Sequence, residues 1–83
     1  IAQRHAQISR SIFLKLTTTG HLNSTWFLAN STGTAVNSND YILYETNTGK
    51  LFYDVDGNGA AVGVHFATLT NAPVINSLDF FVT

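Results

Sequence analysis

Glycine, asparagine and proline interrupt this chain at short intervals: at Gly20, Asn30 with Gly33, Asn47 with Gly49, Gly57 to Gly59, and Asn71 with Pro73. The runs between them are rich in Val, Ile, Leu, Thr, Phe and Tyr, residues that suit a pleated, half-buried surface. No window holds a 3.6-residue apolar period for the ten or so residues that a helix needs. The best helical stretch, Ile1–Ser9, has only sparse apolar positions. The pattern predicts an all-β domain with strands at Ser11–Thr17, Trp26–Ala29, Tyr41–Thr46, Lys50–Asp54, Ala61–Leu69 and Asp79–Val82. Residues 1–10 read as an N-terminal extension or linker, and 11–83 as a single small antiparallel β-domain.

Tyr41-Ile-Leu-Tyr-Glu-Thr-Asn-Thr-Gly-Lys-Leu-Phe-Tyr-Asp54 is the clearest local unit. It reads as a hairpin whose turn is closed by a positive φ at Gly49. Both faces of each strand are apolar or aromatic, whereas a hairpin with one wet face alternates more cleanly. The hairpin is therefore expected inside a sandwich or stack, or with one face against a partner.

The chain also matches itself at a shift of 53 residues. Phe13, Leu16, Thr17, Asn23, Ser24 and Phe27 fall on Phe66, Leu69, Thr70, Asn76, Ser77 and Phe80, with Leu22 on Ile75. Asn and Ser side chains bond nearby backbone N–H groups, so each Asn-Ser step can cap a turn that delivers its Phe inward. Two similar corners are expected.

Composition removes several function classes. Of the 83 residues only 11% are charged, and the net charge is −1 with Arg4, Arg10, Lys15 and Lys50 scattered. That leaves no basic face for nucleic acid and no polybasic membrane anchor. No apolar run approaches the roughly 20 residues of a membrane-spanning helix. Cysteine is absent, which excludes disulfides and thiolate metal sites. Methionine is also absent and the chain opens on Ile1, as expected of a piece of a longer polypeptide or a processed form.

Asp54-Val-Asp56-Gly57-Asn58-Gly59 is the one metal-like motif. Oxygen ligands at alternate positions with a glycine at the sixth match the opening of a calcium loop, because alternate side chains of a tight turn aim at a common centre. The twelfth position is His65, so the bidentate glutamate of an EF-hand is missing. A plain hairpin turn is the competing reading, since Asn-Gly is a turn signal on its own. Catalytic signatures are lacking: there is no G-x-S-x-G elbow, and His5, His21 and His65 have no zinc-ligand spacing. The chain reads as not an enzyme. Trp26 with the tyrosines offers a platform for sugar, though large aromatics in so small a domain are more often core. Asn23-Ser-Thr25 and Asn30-Ser-Thr32 are glycosylation sequons that matter only in a host that uses them.

The stretch from Asp40 to Gly59, followed by Val64-His-Phe-Ala-Thr-Leu69 and Asp79-Phe-Phe-Val82, resembles the C-terminal region of RTX (repeat-in-toxin, haemolysin-type calcium-binding) secreted bacterial proteins. Ser11-Ile-Phe13 and Leu22-Asn-Ser-Thr-Trp-Phe27 look like that region too, so the likeness covers about Ser11 to Thr83. It implies a β-roll-capping domain of a secreted, extracellular or cell-surface bacterial protein that folds with calcium after export. The partners it implies are the rest of a parent RTX-type chain and the type I secretion machinery. It places Asp54, Asp56 and Asn58 in the acidic turn, with Gly57 and Gly59 shaping it, and Asp40 at the start of the hairpin. Asp79, Phe80, Phe81 and Val82 resemble the terminal secretion signal. The nonapeptide repeats that bind most of the family's calcium are missing, Trp26 stands where its internal counterpart is Asp79, and Ile1–Arg10 match nothing in the family. Those departures keep two further readings open. One is a self-assembling subunit of a fibre or surface layer, its identical copies joined by β-strand addition; the other is a carbohydrate-binding module.

Overall fold

The computed structural model describes residues 6–59 and 63–83. It contains β1 (Ala6–Ile8), β2 (Gly20–His21), β3 (Phe27–Asn30), β4 (Ile42–Glu45), β5 (Lys50–Tyr53), β6 (Val64–Thr68) and β7 (Phe80–Val82). Two short 3₁₀ turns, Ser24–Trp26 and Ser77–Asp79, lead directly into β3 and β7. The all-β class is as expected, but the sheets are mixed. One sheet has the order β3-β4-β5-β6 and the other β1-β7-β2. β3 runs parallel to β4 and β1 runs parallel to β7, while the remaining pairs are antiparallel.

The hairpin forms as its sequence dictates. Gly49 takes φ +81 and its N–H bonds the Glu45 carbonyl at 2.8 Å, which sets Glu45 opposite Lys50 and Ile42 opposite Tyr53. A side chain at 49 would run into the Leu69 carbonyl, so the turn also needs glycine for space. Ile42, Tyr44 and Leu51 enter the core between the two sheets with Ile8, Leu16, Leu22, Phe80 and Val82. Leu43 and Phe52 alternate with them and belong to the opposite face. That accounts for the hairpin's two apolar faces: one meets the second sheet, the other lies against Gly33 and Gly63.

The internal repeat is structural. Asn23 Oδ1 accepts from the Thr25 N–H at 3.0 Å, and Asn76 Oδ1 accepts from the Leu78 N–H at 2.9 Å. At the second corner Asp79 Oδ2 also accepts from the Asn76 N–H, completing a reciprocal cap. Trp26, at the matching place in the first corner, packs on Tyr41 with ring centroids 6.2 Å apart. The repeated phenylalanines then meet in pairs, Phe27 on Phe80 at 5.5 Å and Phe13 on Phe66 at 5.0 Å.

Several local expectations are corrected. Ser11–Thr17 is not a strand but a series of turns, with Phe13 N–H bonded to Ser9 O and Leu16 N–H to Phe13 O. The Ser9 hydroxyl accepts from the Ser11 N–H, and this local bond competes with a ladder. Phe13 and Leu16 turn inward at a three-residue spacing, while Ile12 and Leu14 stay about 70% exposed (72% and 70%). At Trp26–Ala29 the strand starts one residue later, because Trp26 closes the first 3₁₀ turn; Asp79–Val82 likewise begins as the end of the second. Within Ile1–Ser9, Ala6–Ile8 is extended and pairs with β7, so no helix forms there; residues 1–5 lie outside the described part. Ile8 is buried in the core, which makes this part of the supposed extension a component of the domain. Ala61–Leu69 is a strand from Val64 to Thr68, and residues 60–62 again lie outside the description. The β5/β6 register shifts at Leu51/Phe52, pairing Ala67 and His65 across but leaving Phe66 out of the ladder, where its ring reaches Phe13.

Candidate functional site

The acidic turn and the loop before β4 form one clasp. Asp40, buried at the start of the hairpin, accepts from the backbone N–H groups of Val36 (3.0 Å) and Asn37 (2.7 Å) with Oδ2. This ties loop 36–40 into a tight turn, the usual behaviour of an aspartate that bonds its own neighbourhood. The turn at 54–59 then docks on it. The Asn58 N–H bonds Asn37 O at 3.2 Å and Asn58 Nδ2 bonds Val36 O at 2.8 Å. Gly57, at φ +61, presses its α-carbon against the Ser38 and Asn37 carbonyls, where a Cβ would collide. At Gly59 a Cβ would meet the Asp56 carboxylate, which would have to swing aside.

Asp54 and Asp56 are side by side within this clasp. Asp54 is 5% exposed, and its Oδ1 accepts from the Asp56 N–H at 3.3 Å. Burial, the first cause, pushes the Asp54 carboxyl above the ordinary aspartate range; a side-chain hydrogen bond with Asp56 and the charge of that neighbour push the same way. The Asp56 backbone N–H opposes them. Two neighbouring carboxyls, one desolvated, favour either a shared proton or a cation.

These residues fit calcium in part. Asp54 and Asp56 together present hard carboxylate oxygens, as the ion requires. Asp40 Oδ2 and the Asn58 amide are instead engaged in holding loop 36–40. Among the described residues no three Asp, Glu or His side chains gather into a metal-holding group. A calcium ion takes six to eight oxygens, so the pair would supply carboxylates and leave the rest to backbone carbonyls, water or another chain. Spacing groups Asp54, Asp56 and Asn58, and the resemblance adds Asp40; the hydrogen bonds set Asp54 and Asp56 together as a carboxylate pair and engage Asp40 and Asn58 in the clasp. The missed members, Val36 and Asn37, lie beside a legible signal, the Asn37-Ser-Asn-Asp40 turn composition.

Beside Asp54 lies a cavity of about 450 Å³ whose lining includes Thr32, Thr34, Phe52, Asp54 and Asn58. It occupies the hairpin face that does not enter the main core. Trp26, the sequence candidate for a sugar platform, is half-buried against the core and lines no part of this cavity. The secretion-signal-like end is folded in: Asp79 caps the second 3₁₀ turn, Phe80 and Val82 are buried, Phe81 packs edge-on to His21, and β7 is the middle strand of its sheet. His65 shares a hydrogen bond with the Thr68 hydroxyl at 2.7 Å. Among the described residues no helix is long and apolar enough to cross a membrane. The chain matches no protein-family model, no curated protein and no solved structure.

Proposed function

We propose that this domain is a non-enzymatic, calcium-assisted structural module that caps a longer, type I-secreted extracellular bacterial protein of the RTX kind. The observation that carries the reading is the Asp54–Asp56 pair, held with Asp54 desolvated in a turn clasped to loop 36–40. Without a cation the fold places two carboxyls together at a cost; with one, that cost is offset and the clasp tightens. Cation binding therefore acts as folding energy. A calcium-poor interior keeps the chain loose enough to export, and calcium outside completes it. The Asp79–Val82 end serves in export while extended and on folding becomes the close of the second 3₁₀ turn and β7.

Thermal melts with calcium and with excess chelator test this. At calcium a hundredfold over its dissociation constant, the expected gain is about 2.7 kcal/mol, or roughly 10–20 °C for a domain of this size. Asp54→Asn and Asp56→Asn should each abolish most of it. An identical melting temperature in both conditions would reject the reading.

A second reading, assembly of identical subunits by strand addition, is favoured by one observation. β3 and β6 are the outer strands of the four-stranded sheet, and β6 exposes Val64, His65 and Thr68. Light scattering separates the two, since a cap stays monomeric and an assembly subunit grows with concentration.

A further inference from the structure

The cavity beside the acidic turn uses the hairpin face that the core leaves over. Leu43 on that face is buried, but Phe52 is only half-buried and lines the cavity. Its ring packs against His65 with centroids 5.5 Å apart, which holds it in place. At about 450 Å³ the space falls within the range of roughly 300–1,000 Å³ common to small-ligand sites.

The lining chemistry narrows the ligand. None of the described lining residues is cationic, and Asp54 is a buried carboxyl, so phosphates, sulfates and acidic sugars are disfavoured. Asp54 bonds the Asp56 N–H and the Asp56 side chain, and a carboxylate has about four acceptor positions, so it can still accept from a hydroxyl group. The Thr32 and Thr34 hydroxyls share one hydrogen bond at 2.8 Å and Thr32 also donates to Asn30 Oδ1 at 3.5 Å, which leaves lone pairs on both oxygens to accept from a ligand. Gly33 and Gly63 lie close against Phe52 on this face: a Cβ at 33 would come within 2.9 Å of the ring and one at 63 within 3.3 Å of Phe52 Cβ, so a larger residue at either place would crowd the cavity wall. An apolar ring beside acceptors and hydroxyls suits a molecule that is carbon on its faces and hydroxylated at its rim.

We propose that this cavity binds a neutral saccharide of one or two rings, seated against Phe52 and hydrogen-bonded to Asp54, Thr32 and Thr34. The proposal stands on the cavity's own side chains and needs no cation. A cap with such a site would hold its parent protein to a polysaccharide surface.

Affinity electrophoresis of the full chain through gels containing dextran, soluble starch, xylan or galactomannan tests it, run once with calcium and once with chelator. Retardation by at least one polysaccharide is expected, and it should weaken about tenfold in Phe52→Leu, where the flat ring is lost. Thr32→Trp, at an exposed rim position, should block entry without touching the core, and circular dichroism would confirm that both variants fold. Retardation that survives in chelator supports the saccharide site even if the calcium reading fails. Absence of retardation on all four polymers, or retardation unchanged in both variants, would overturn the proposal. Binding of an alkylammonium probe such as lysine methyl ester, with no saccharide retained, would assign the cavity to organic cations instead.

Discussion

Phe27 and Phe80 stand 53 positions apart in the chain, yet their rings meet at 5.5 Å, tilted by 44°. Each follows an asparagine-capped 3₁₀ turn and opens a strand, one in each sheet. The two corners of the repeat thus face each other across the core, and their aromatic contact joins the four-stranded sheet to the three-stranded one.

The two partners in that contact are unequally buried, and truncation should show it. Phe80→Ala is expected to cost about 3–5 kcal/mol, a large share of the roughly 4–12 kcal/mol available to a domain this size. Phe27, half-buried, should cost less. Urea denaturation of the two variants gives the order, and equal losses would contradict it.

The caps should differ in the same sense. Asn76→Ala removes an acceptor from Leu78 N–H and disturbs the reciprocal bond to Asp79, for an expected loss of about 1–2 kcal/mol. Asn23→Ala removes the acceptor for Thr25 alone and should fall nearer 0.5–1 kcal/mol on the same scale. The midpoints of urea unfolding at constant slope would measure both.

Asn58 offers a decisive substitution at the clasp. As a donor to Val36 O it cannot be replaced by a carboxylate without setting negative charge against that carbonyl. Asn58→Asp should therefore destabilise the chain by about 1–3 kcal/mol in chelator. Were Asn58 chiefly a cation ligand, the same change would raise calcium affinity and stabilise the chain in calcium. Melting in both conditions distinguishes them. Gly57→Ala should be worse, since the left-handed conformation alone costs about 1–2 kcal/mol before the collision with Ser38.

Asp54 fixes the sign of the pH dependence. Its carboxyl titrates higher in the folded chain than the unfolded value of about 3.9. The folded state then binds the proton more tightly, so this contribution is fully present below the unfolded value. It is lost as pH rises through the folded value. In chelator, stability should decline from about pH 4 upward, and Asp54→Asn should flatten the decline. Calcium should remove it as well, because the ion replaces the proton. Chemical denaturation across pH, with and without calcium, would check all three.

Tyr44 ties the hairpin to the second half of the repeat. Its ring is buried in the core and its hydroxyl donates to Pro73 O. Burial raises the phenol above its ordinary range, so ionisation does not disturb it near neutrality. Tyr44→Phe should cost about 1–3 kcal/mol by leaving that carbonyl unpaired, with little change in the circular dichroism spectrum.

Residues acting on near neighbours were legible without coordinates. The hairpin register follows from Gly49, the corners from Asn23 and Asn76, and the compact acidic turn from Gly57 and Gly59, because turns and caps are local hydrogen-bonding and φ choices. Even the 53-residue repeat announced two equivalent corners, though not their contact. What needed the tertiary structure was everything decided by distant partners. Ala6–Ile8 is a strand because β7 offers it a parallel edge, while Ser11–Thr17, strand-like in composition, finds local serine bonds and turns. Spacing singles out Asn58 and the resemblance Asp40, and only the tertiary structure shows that loop 36–40 comes close enough to hydrogen-bond both. The cavity at Phe52 exists because the core takes only one of the hairpin's two apolar faces. Sequence can state that both faces are apolar, but which one is filled depends on where the second sheet packs.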